Sequence, residues 1–322
     1  MKNLLKVKYF SLPDDDNSIC IFDYYVDESG EWDLWSSLLM DEGEYLSLQL
    51  TGEVLVDTIT TLRAKYFLDI TTRASLNVAL IGPRGSGKSL ILDNHWRKSD
   101  LTAMNIARFV YSYFTKSSQL KSFLEANIEH RQGLMYGGKE HKHLTLVIED
   151  LNLPKPIEID SDCIRRPNEV LRQLLNSNVI QNSKYPFEQM KLSDFNIIVS
   201  LATNSSADLF DPRLMRHFVP IKIEMPEGSH LQSIIRGVFE CHIDSIENCQ
   251  ITIDQASQLI SATQKLYEKV TSVLQRSSTE GRCHLNFNLR SINDIALGIK
   301  SFNYDSESSE PLLLQYWSYL SR

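Results

Sequence analysis

The sequence predicts an α/β fold: a mainly parallel sheet between helices, followed by a small all-helical part. Three observations carry that expectation. Short apolar runs at 76–81, 144–148 and 195–202 each stop at glycine or polar residues, as strands buried on both faces do. Helical periodicity fills stretches around them, over 54–72, 119–131 and 168–176. After Met225-Pro226-Glu227-Gly228 the strand-like runs end and helical stripes take over. Strands alternating with helices favour parallel pairing under a cover of helices on both faces.

The elements follow in order. Residues 1–48 mix acids with Ile19, Ile21-Phe22, Tyr24-Tyr25, Trp32 and Trp35. Exposed aromatic clusters are rare, so this stretch is expected to be a partly ordered extension that packs its rings on the next domain. Leu55, Ile59, Leu62, Tyr66, Phe67 and Ile70 predict a helix over 54–72. Past residue 226, helices are expected at 229–241, 253–275 and from about Leu289. The stripe Ala256, Leu259, Ile260, Leu266, Val270, Val273, Leu274 reads as core packing. Ser277–Gly281 and Asp305–Glu310 read as loops, and the apolar 312–320 as a last helix.

Composition narrows the function classes. Hydrophobic residues make up 42% and charged residues 23% of the 322, enough for a sizeable core. The net charge of −8 argues against a whole-protein nucleic-acid binder. No apolar run reaches the roughly 18–20 residues that a membrane span needs. The N-terminus has no apolar core of a secretory signal before Asp14-Asp15-Asp16. Five cysteines, with no Cys-x-x-Cys pair, fit reduced thiols in the cytosol better than disulfides or structural zinc.

The strongest chemical signal is Gly82-Pro83-Arg84-Gly85-Ser86-Gly87-Lys88-Ser89, which fits G-x-x-x-x-G-K-[ST] in full. It follows a predicted strand and precedes Leu90-Ile91-Leu92, a helix start, which is the context the motif requires. Glycines let the backbone curl so that its N–H groups face an anion, and the helix N-terminus adds its dipole. In such a loop Lys88 is placed to reach the β- and γ-phosphates of a nucleotide such as ATP, and the Ser89 hydroxyl to ligate Mg2+. Glu149-Asp150 ends the second strand, where a first carboxylate holds the metal and a second polarises the attacking water. The usual first acid is Asp; Glu149 is one methylene longer. A misplacement of about 1 Å costs about a hundredfold in rate, so binding is expected to survive while turnover is slow. The third strand ends at Thr203-Asn204, either of which suits a contact to the γ-phosphate or to the attacking water. His217 reads as a packed residue at a strand start.

These signals, in this order, resemble the AAA+ class of P-loop ATPases, and the surrounding residues resemble the third AAA+ module of a dynein heavy chain's motor ring. Phe22-Asp23-Tyr24-Tyr25-Val26-Asp27, Gly30-Glu31-Trp32 and Trp35 are similar to the entry segment of that module. Val56-Asp57-Thr58 with Arg63 and Leu68-Asp69 is similar to its helix before the loop, with Asp57 where the family often has proline. Arg131, Gly133 and Tyr136-Gly137 precede the acidic strand as in the family. Glu149-Asp150-Leu151-Asn152-Leu153-Pro154, Leu171-Arg172-Gln173 and Arg213-Leu214-Met215-Arg216-His217-Phe218 resemble family signatures. Phe287-Asn288-Leu289-Arg290, Gly298-Ile299 and Trp317 resemble the lid. Ser205–Phe210 replaces a Gly-Pro-rich segment of the family.

The resemblance implies a P-loop AAA+ α/β subdomain at 49–226, after an extension at 1–48, and a helical lid at 227–322. It implies that Arg213 or Arg216 acts as an arginine finger toward a neighbouring module, and that Arg290 contacts the γ-phosphate in cis. Its implied partners are neighbouring modules of the ring, with microtubules and other dynein subunits reached only through a full heavy chain. Nucleic acid and membrane are not expected partners. The implied location is the cytoplasm, on the cytoskeleton or in the ciliary axoneme. A single module without linker, stalk or track-binding tip is expected to be a fragment, a short relative or an excised piece. Three functions stay open: a regulatory ATP site with slow or context-dependent hydrolysis, a non-hydrolysing structural nucleotide module, and a self-assembling AAA+ remodelling ATPase outside the dyneins.

Overall fold

A computed structural model describes residues 21–26, 29–39, 45–48, 53–98, 104–155, 157–159, 162–182, 188–203, 211–244, 253–276, 287–300 and 317–319. The chain divides into two compact units. One comprises Ala64–Glu227 with Leu266–Ile292, and the other Met1–Arg63, Gly228–Lys265 and Asn293–Arg322.

The first unit is built on a five-stranded sheet of β1 (Val78–Gly82), β2 (Met104–Val110), β3 (His143–Glu149), β4 (Phe195–Ala202) and β5 (Val219–Lys222). The spatial order is β5-β1-β4-β3-β2 and every pairing is parallel. The three expected strands stand side by side at its centre. Their runs are apolar because both faces are covered: Val78, Leu80, Leu146, Ile148, Ile197 and Val199 are fully buried. The sheet is larger than the sequence suggested, because the edge strands β2 and β5 carry Asn105, Arg108, Pro220 and Lys222, which interrupt an apolar run. Placing β1 between β4 and β5 brings the carboxyl ends of β1, β3 and β4 together, where ligands bind in such sheets.

The helices are α1 (Ile59–Arg73), α2 (Lys88–Lys98), α3 (Ser117–Asn127), α4 (Arg166–Ser177), α5 (Pro212–Met215), α6 (Gly228–Asp244), α7 (Ile253–Arg276) and α8 (Leu289–Lys300). Two expectations need correction. The helix expected over 54–72 starts only at Ile59, and Glu53–Val56 is a strand paired with Tyr45–Leu48. Val54 and Val56 favour that pairing. Thr58 then caps the helix: its N–H donates to Thr61 Oγ1 at 2.8 Å while Thr61 N–H donates to Thr58 Oγ1 at 3.3 Å. The helix expected over 119–131 ends at Asn127, and Ile128–His130 pairs antiparallel with Met135–Gly138. Gly133, at φ +61°, makes the turn between those two strands.

In the second unit Trp35 is buried, its ring centroid 5.0 Å from that of Tyr25, and the Arg63 guanidinium lies 5.8 Å over it. Arg63 also donates to Phe22 O at 3.0 Å and Asp23 Oδ1 at 3.1 Å. Trp317 Nε1 donates to Thr263 Oγ1 at 3.1 Å. Of the expected last helix only 317–319 is described, and it is helical; the expected loops at 277–281 and 305–310 lie outside the described residues. Among the described residues no helix is long and apolar enough to cross a membrane.

Candidate functional site

The loop from Gly82 to Ser89 joins the end of β1 to the start of α2. Gly85 and Gly87 take left-handed φ angles of +78° and +83°, which L side chains rarely adopt. A Cβ at Gly82 would collide with the Ile223 carbonyl oxygen, and one at Gly85 would press on the Asn288 side chain. The loop is therefore glycine-rich for two reasons, backbone hand and close approach. Asn288 is also the cap of α8, its Oδ1 accepting from Arg290 N–H at 3.0 Å. Pro83 and Leu90 are half-buried, Arg84 and Arg290 exposed, and Ser86 buried with its hydroxyl donating to Pro83 O at 2.9 Å.

Lys88 is buried and turned back over the loop. Its Nζ donates to Gly82 O at 2.8 Å, Pro83 O at 2.6 Å and Ser86 Oγ at 3.4 Å. Burial pulls its pKa down to about 8; Asp150 opposes that shift and Arg84 adds to it. A buried ammonium whose hydrogen bonds all go to neutral acceptors, in a curled glycine loop, suits an anion, which would stabilise its charge.

At the end of β3, Glu149 is buried and both carboxylate oxygens are engaged. Ser89 Oγ donates to Oε2 at 2.7 Å, and Arg108 Nε donates to Oε1. Arg108 Nη1 reaches Asp93 Oδ1 at 2.9 Å. Burial works against the Arg108 charge, but the hydrogen bond and charge of Glu149, with Asp93, raise its pKa overall. Asp150 follows at φ +55°, a left-handed angle for a non-glycine residue, stabilised in part by its N–H donating to Ser200 Oγ at 3.3 Å. Burial raises its pKa, the Glu149 charge adds to that, and Lys88 and Arg84 hold it back.

Beyond the acidic pair, Asn152 bridges to β4. Its Nδ2 donates to Ala202 O at 2.8 Å and its Oδ1 accepts from Ala202 N–H at 3.3 Å. Thr203 N–H donates to Gly82 O at 3.0 Å, tying the end of β4 to the loop. Asn204 lies outside the described residues, as does Ser205–Phe210.

The structure thus gathers Gly82 to Ser89, Glu149, Asp150 and Thr203 at one end of the sheet. Arg213 and Arg216 are elsewhere, both exposed, on and just after α5. Asp211 caps that helix by accepting from Arg213 N–H at 2.9 Å. Arg216 Nη2 donates to Asn176 Oδ1 at 2.7 Å, and its Nε to His217 Nε2 at 3.2 Å. His217 is half-buried beside buried Phe218, and its pKa is lowered by burial and by the Arg216 and Arg172 charges. Three participants escaped sequence reasoning: Arg108, Asp93 and Asn152 as a strap. Arg108 carries a local signal, a cation inside the apolar run Ile106-Ala107-Arg108-Phe109-Val110, and Asn152 belongs to a family signature without its role as a strap being apparent.

A parallel sheet in this order, with a G-x-x-x-x-G-K-S loop between its β1 and α2, defines a P-loop α/β protein. The chain belongs to the family described as the P-loop containing dynein motor region, which matches residues 48–226. It is 27% identical over 284 residues to dynein axonemal heavy chain 17 of Mus musculus, covering 87% of this chain and 6% of that protein. It is 26% identical over 290 residues to the flagellar outer arm dynein beta chain of Chlamydomonas reinhardtii, again 87% of this chain and 6% of the relative. The chain therefore spans about 6% of the length of these relatives. A solved structure of NtrX from Brucella abortus in complex with ATP shares the fold, with TM-score 0.52 and 14% identity over 82% of this chain and 56% of that one.

Proposed function

We propose that this chain is an ATP-binding AAA+ module of a dynein-heavy-chain-like motor, corresponding to the third module of the ring and acting as a regulatory site with slow or context-dependent hydrolysis. In this assignment 49–226 is the nucleotide-binding subdomain and 227–322 its helical lid. One observation supports the binding claim: the buried Lys88 ammonium sits on the glycine loop with hydrogen bonds to neutral acceptors alone, and Asp150 is the acid whose charge it feels. Bound ATP supplies a phosphoanhydride to be cleaved. Lys88 would leave the loop carbonyls for β- and γ-phosphate oxygens, and loop N–H groups with the start of α2 would take the remaining charge. Asp150 is the carboxylate suited to accept a proton from water, with Thr203 or Asn204 orienting it. Arg213 suits a finger toward a neighbouring module better than Arg216, which Asn176 holds.

The residues fit the nucleotide. They fit magnesium poorly as they stand: Ser89 can donate to Glu149 and still offer its oxygen lone pairs, but the Arg108 cation bonded to Glu149 sets a like charge against an incoming dication. That observation favours a second reading, a module that binds ATP without turning it over. The dynein family match favours both over an ATPase outside the dyneins. Axonemal and flagellar relatives support a location on the cytoskeleton or in a cilium, with ring neighbours as direct partners and microtubules reached through the whole heavy chain.

The test is ATP titration by calorimetry together with phosphate release. Binding lost in Lys88→Ala supports the module. Release abolished by Asp150→Asn with binding kept supports hydrolysis, and binding without release by the wild type, with neighbouring modules present, supports the second reading. No ATP binding by the folded wild type refutes both.

A further inference from the structure

We propose that Arg108 is a tethered cation standing in for a divalent metal at the Ser89–Glu149 pair, so that the module binds nucleoside triphosphate with little dependence on magnesium. The inference rests on the nucleotide-binding reading above. The geometry places a permanent positive charge at the carboxylate that would otherwise hold the ion. Arg108 projects from β2, the edge strand paired with β3, and its Nε donates to Glu149 Oε1 while Ser89 Oγ takes Oε2. Asp93, one turn beyond Ser89 on α2, holds the other end of the guanidinium at 2.9 Å. The guanidinium is thus fixed from two sides, planar and never neutral.

Two consequences follow from charge alone. A dication approaching Glu149 meets a like charge already bonded to its ligand, so metal entry must displace the half-exposed Arg108 guanidinium from the buried carboxylate. Phosphate oxygens arriving over Lys88 meet a carboxylate whose charge is already compensated, so they need no metal to screen it. A purely structural Arg108 that only braces Asp93 and Glu149 would affect folding and leave the metal dependence unchanged.

ATP affinity of the full chain is measured by calorimetry in excess magnesium and in excess EDTA. The wild type is expected to differ by less than about threefold between the two conditions. Arg108→Gln, which removes the charge and keeps a polar side chain, is expected to lose about tenfold or more in EDTA and to recover in magnesium. Arg108→Lys keeps a cation without the fork and should fall between. A wild type that weakens tenfold or more in EDTA overturns the proposal, as does Arg108→Gln matching the wild type in both conditions. Should Arg108→Gln fail to fold by circular dichroism, the wild-type ratio decides by itself. A folded wild type with no ATP binding in either condition overturns the nucleotide reading, and this inference with it. Binding that is present but tenfold weaker in EDTA overturns only the inference.

Discussion

Asn152→Ala is expected to loosen the end of the sheet on which the acidic pair and Thr203 both depend. β3 ends at Glu149, and β4 continues to Ala202. The outermost β4–β3 partners are Val199 and Ile148. Past that point Leu151 N–H donates to Ser200 O at 3.0 Å, and the Asn152 carboxamide satisfies both the C=O and the N–H of Ala202. The side chain thus acts as a further rung of the ladder. Ala202 is buried, so truncation leaves two backbone groups without these partners. Each such group costs roughly 1–3 kcal/mol, and partial entry of water brings the expected total to about 2–4 kcal/mol. That corresponds to a fall in melting temperature of roughly 5–10 °C for a unit of this size. Asn152→Asp keeps the acceptor for Ala202 N–H but sets a carboxylate against Ala202 O, and should cost at least as much. Urea denaturation gives the stability, and hydrogen exchange reads the Ala202 amide directly. A change below about 0.5 kcal/mol with unaltered exchange at Ala202 would refute the rung.

Three further outcomes are expected. ATP affinity should fall as pH rises above about 8, because Lys88 loses its proton there and the phosphates must then recover it; Lys88→Arg, charged throughout, should bind with a flat profile between pH 7 and roughly 10 by calorimetry. Gly87→Ala should cost about 1–2 kcal/mol from backbone hand alone, since nothing lies near its Cβ, whereas Gly85→Ala should cost more through the Asn288 side chain, Cβ included; a double-mutant cycle with Asn288→Gly reads the difference, and zero coupling would remove the contact from the account. Asp150→Asn should raise the melting temperature at pH 7. The raised folded pKa of Asp150 means that its charge opposes folding once pH exceeds the unfolded value. The advantage of the variant over the wild type should therefore shrink as pH falls through the folded pKa, and a gap that stays constant down to pH 4 would contradict the burial of that charge.

The centre of this fold is legible in the sequence because burial on two faces forces long apolar runs, and the loop is legible because backbone hand and close approach leave only glycine at Gly82, Gly85 and Gly87. What escapes is where one constraint hides another. Leu55 lies on the helical stripe of 54–72 by spacing, yet Val54 and Val56 beside it pair with Ser47 and Tyr45, and the Thr58–Thr61 exchange starts the helix later. Ile128 prolongs the apolar stripe of α3, but it belongs to a hairpin closed by Gly133. The edge strands β2 and β5 escape because polar residues on an edge weaken the pattern that marks a strand. Asn152 was visible as a family residue, but its partner at Ala202 is 50 residues away and no local pattern announces it.

Two departures at the acidic strand, the glutamate where an aspartate is usual and the arginine on the edge strand, are one adaptation. A carboxylate that must accept from Ser89 on one side and from Arg108 on the other has to bridge α2 and β2 from its own position on β3. An aspartate, one methylene shorter, keeps its oxygens nearer the β3 backbone and farther from both partners as they stand. Read separately, the longer acid is a displaced metal ligand that slows turnover, and the arginine is an unexplained charge in an apolar strand. Read together, the extra methylene is what lets the charge of Glu149 be compensated from within the chain. The loop, with Lys88 and its glycines, does not depend on that exchange and keeps the features that bind phosphate. On the proposed reading, binding rests on Lys88 and turnover on Asp150, so the two can be separated by substitution, as a regulatory nucleotide site would require.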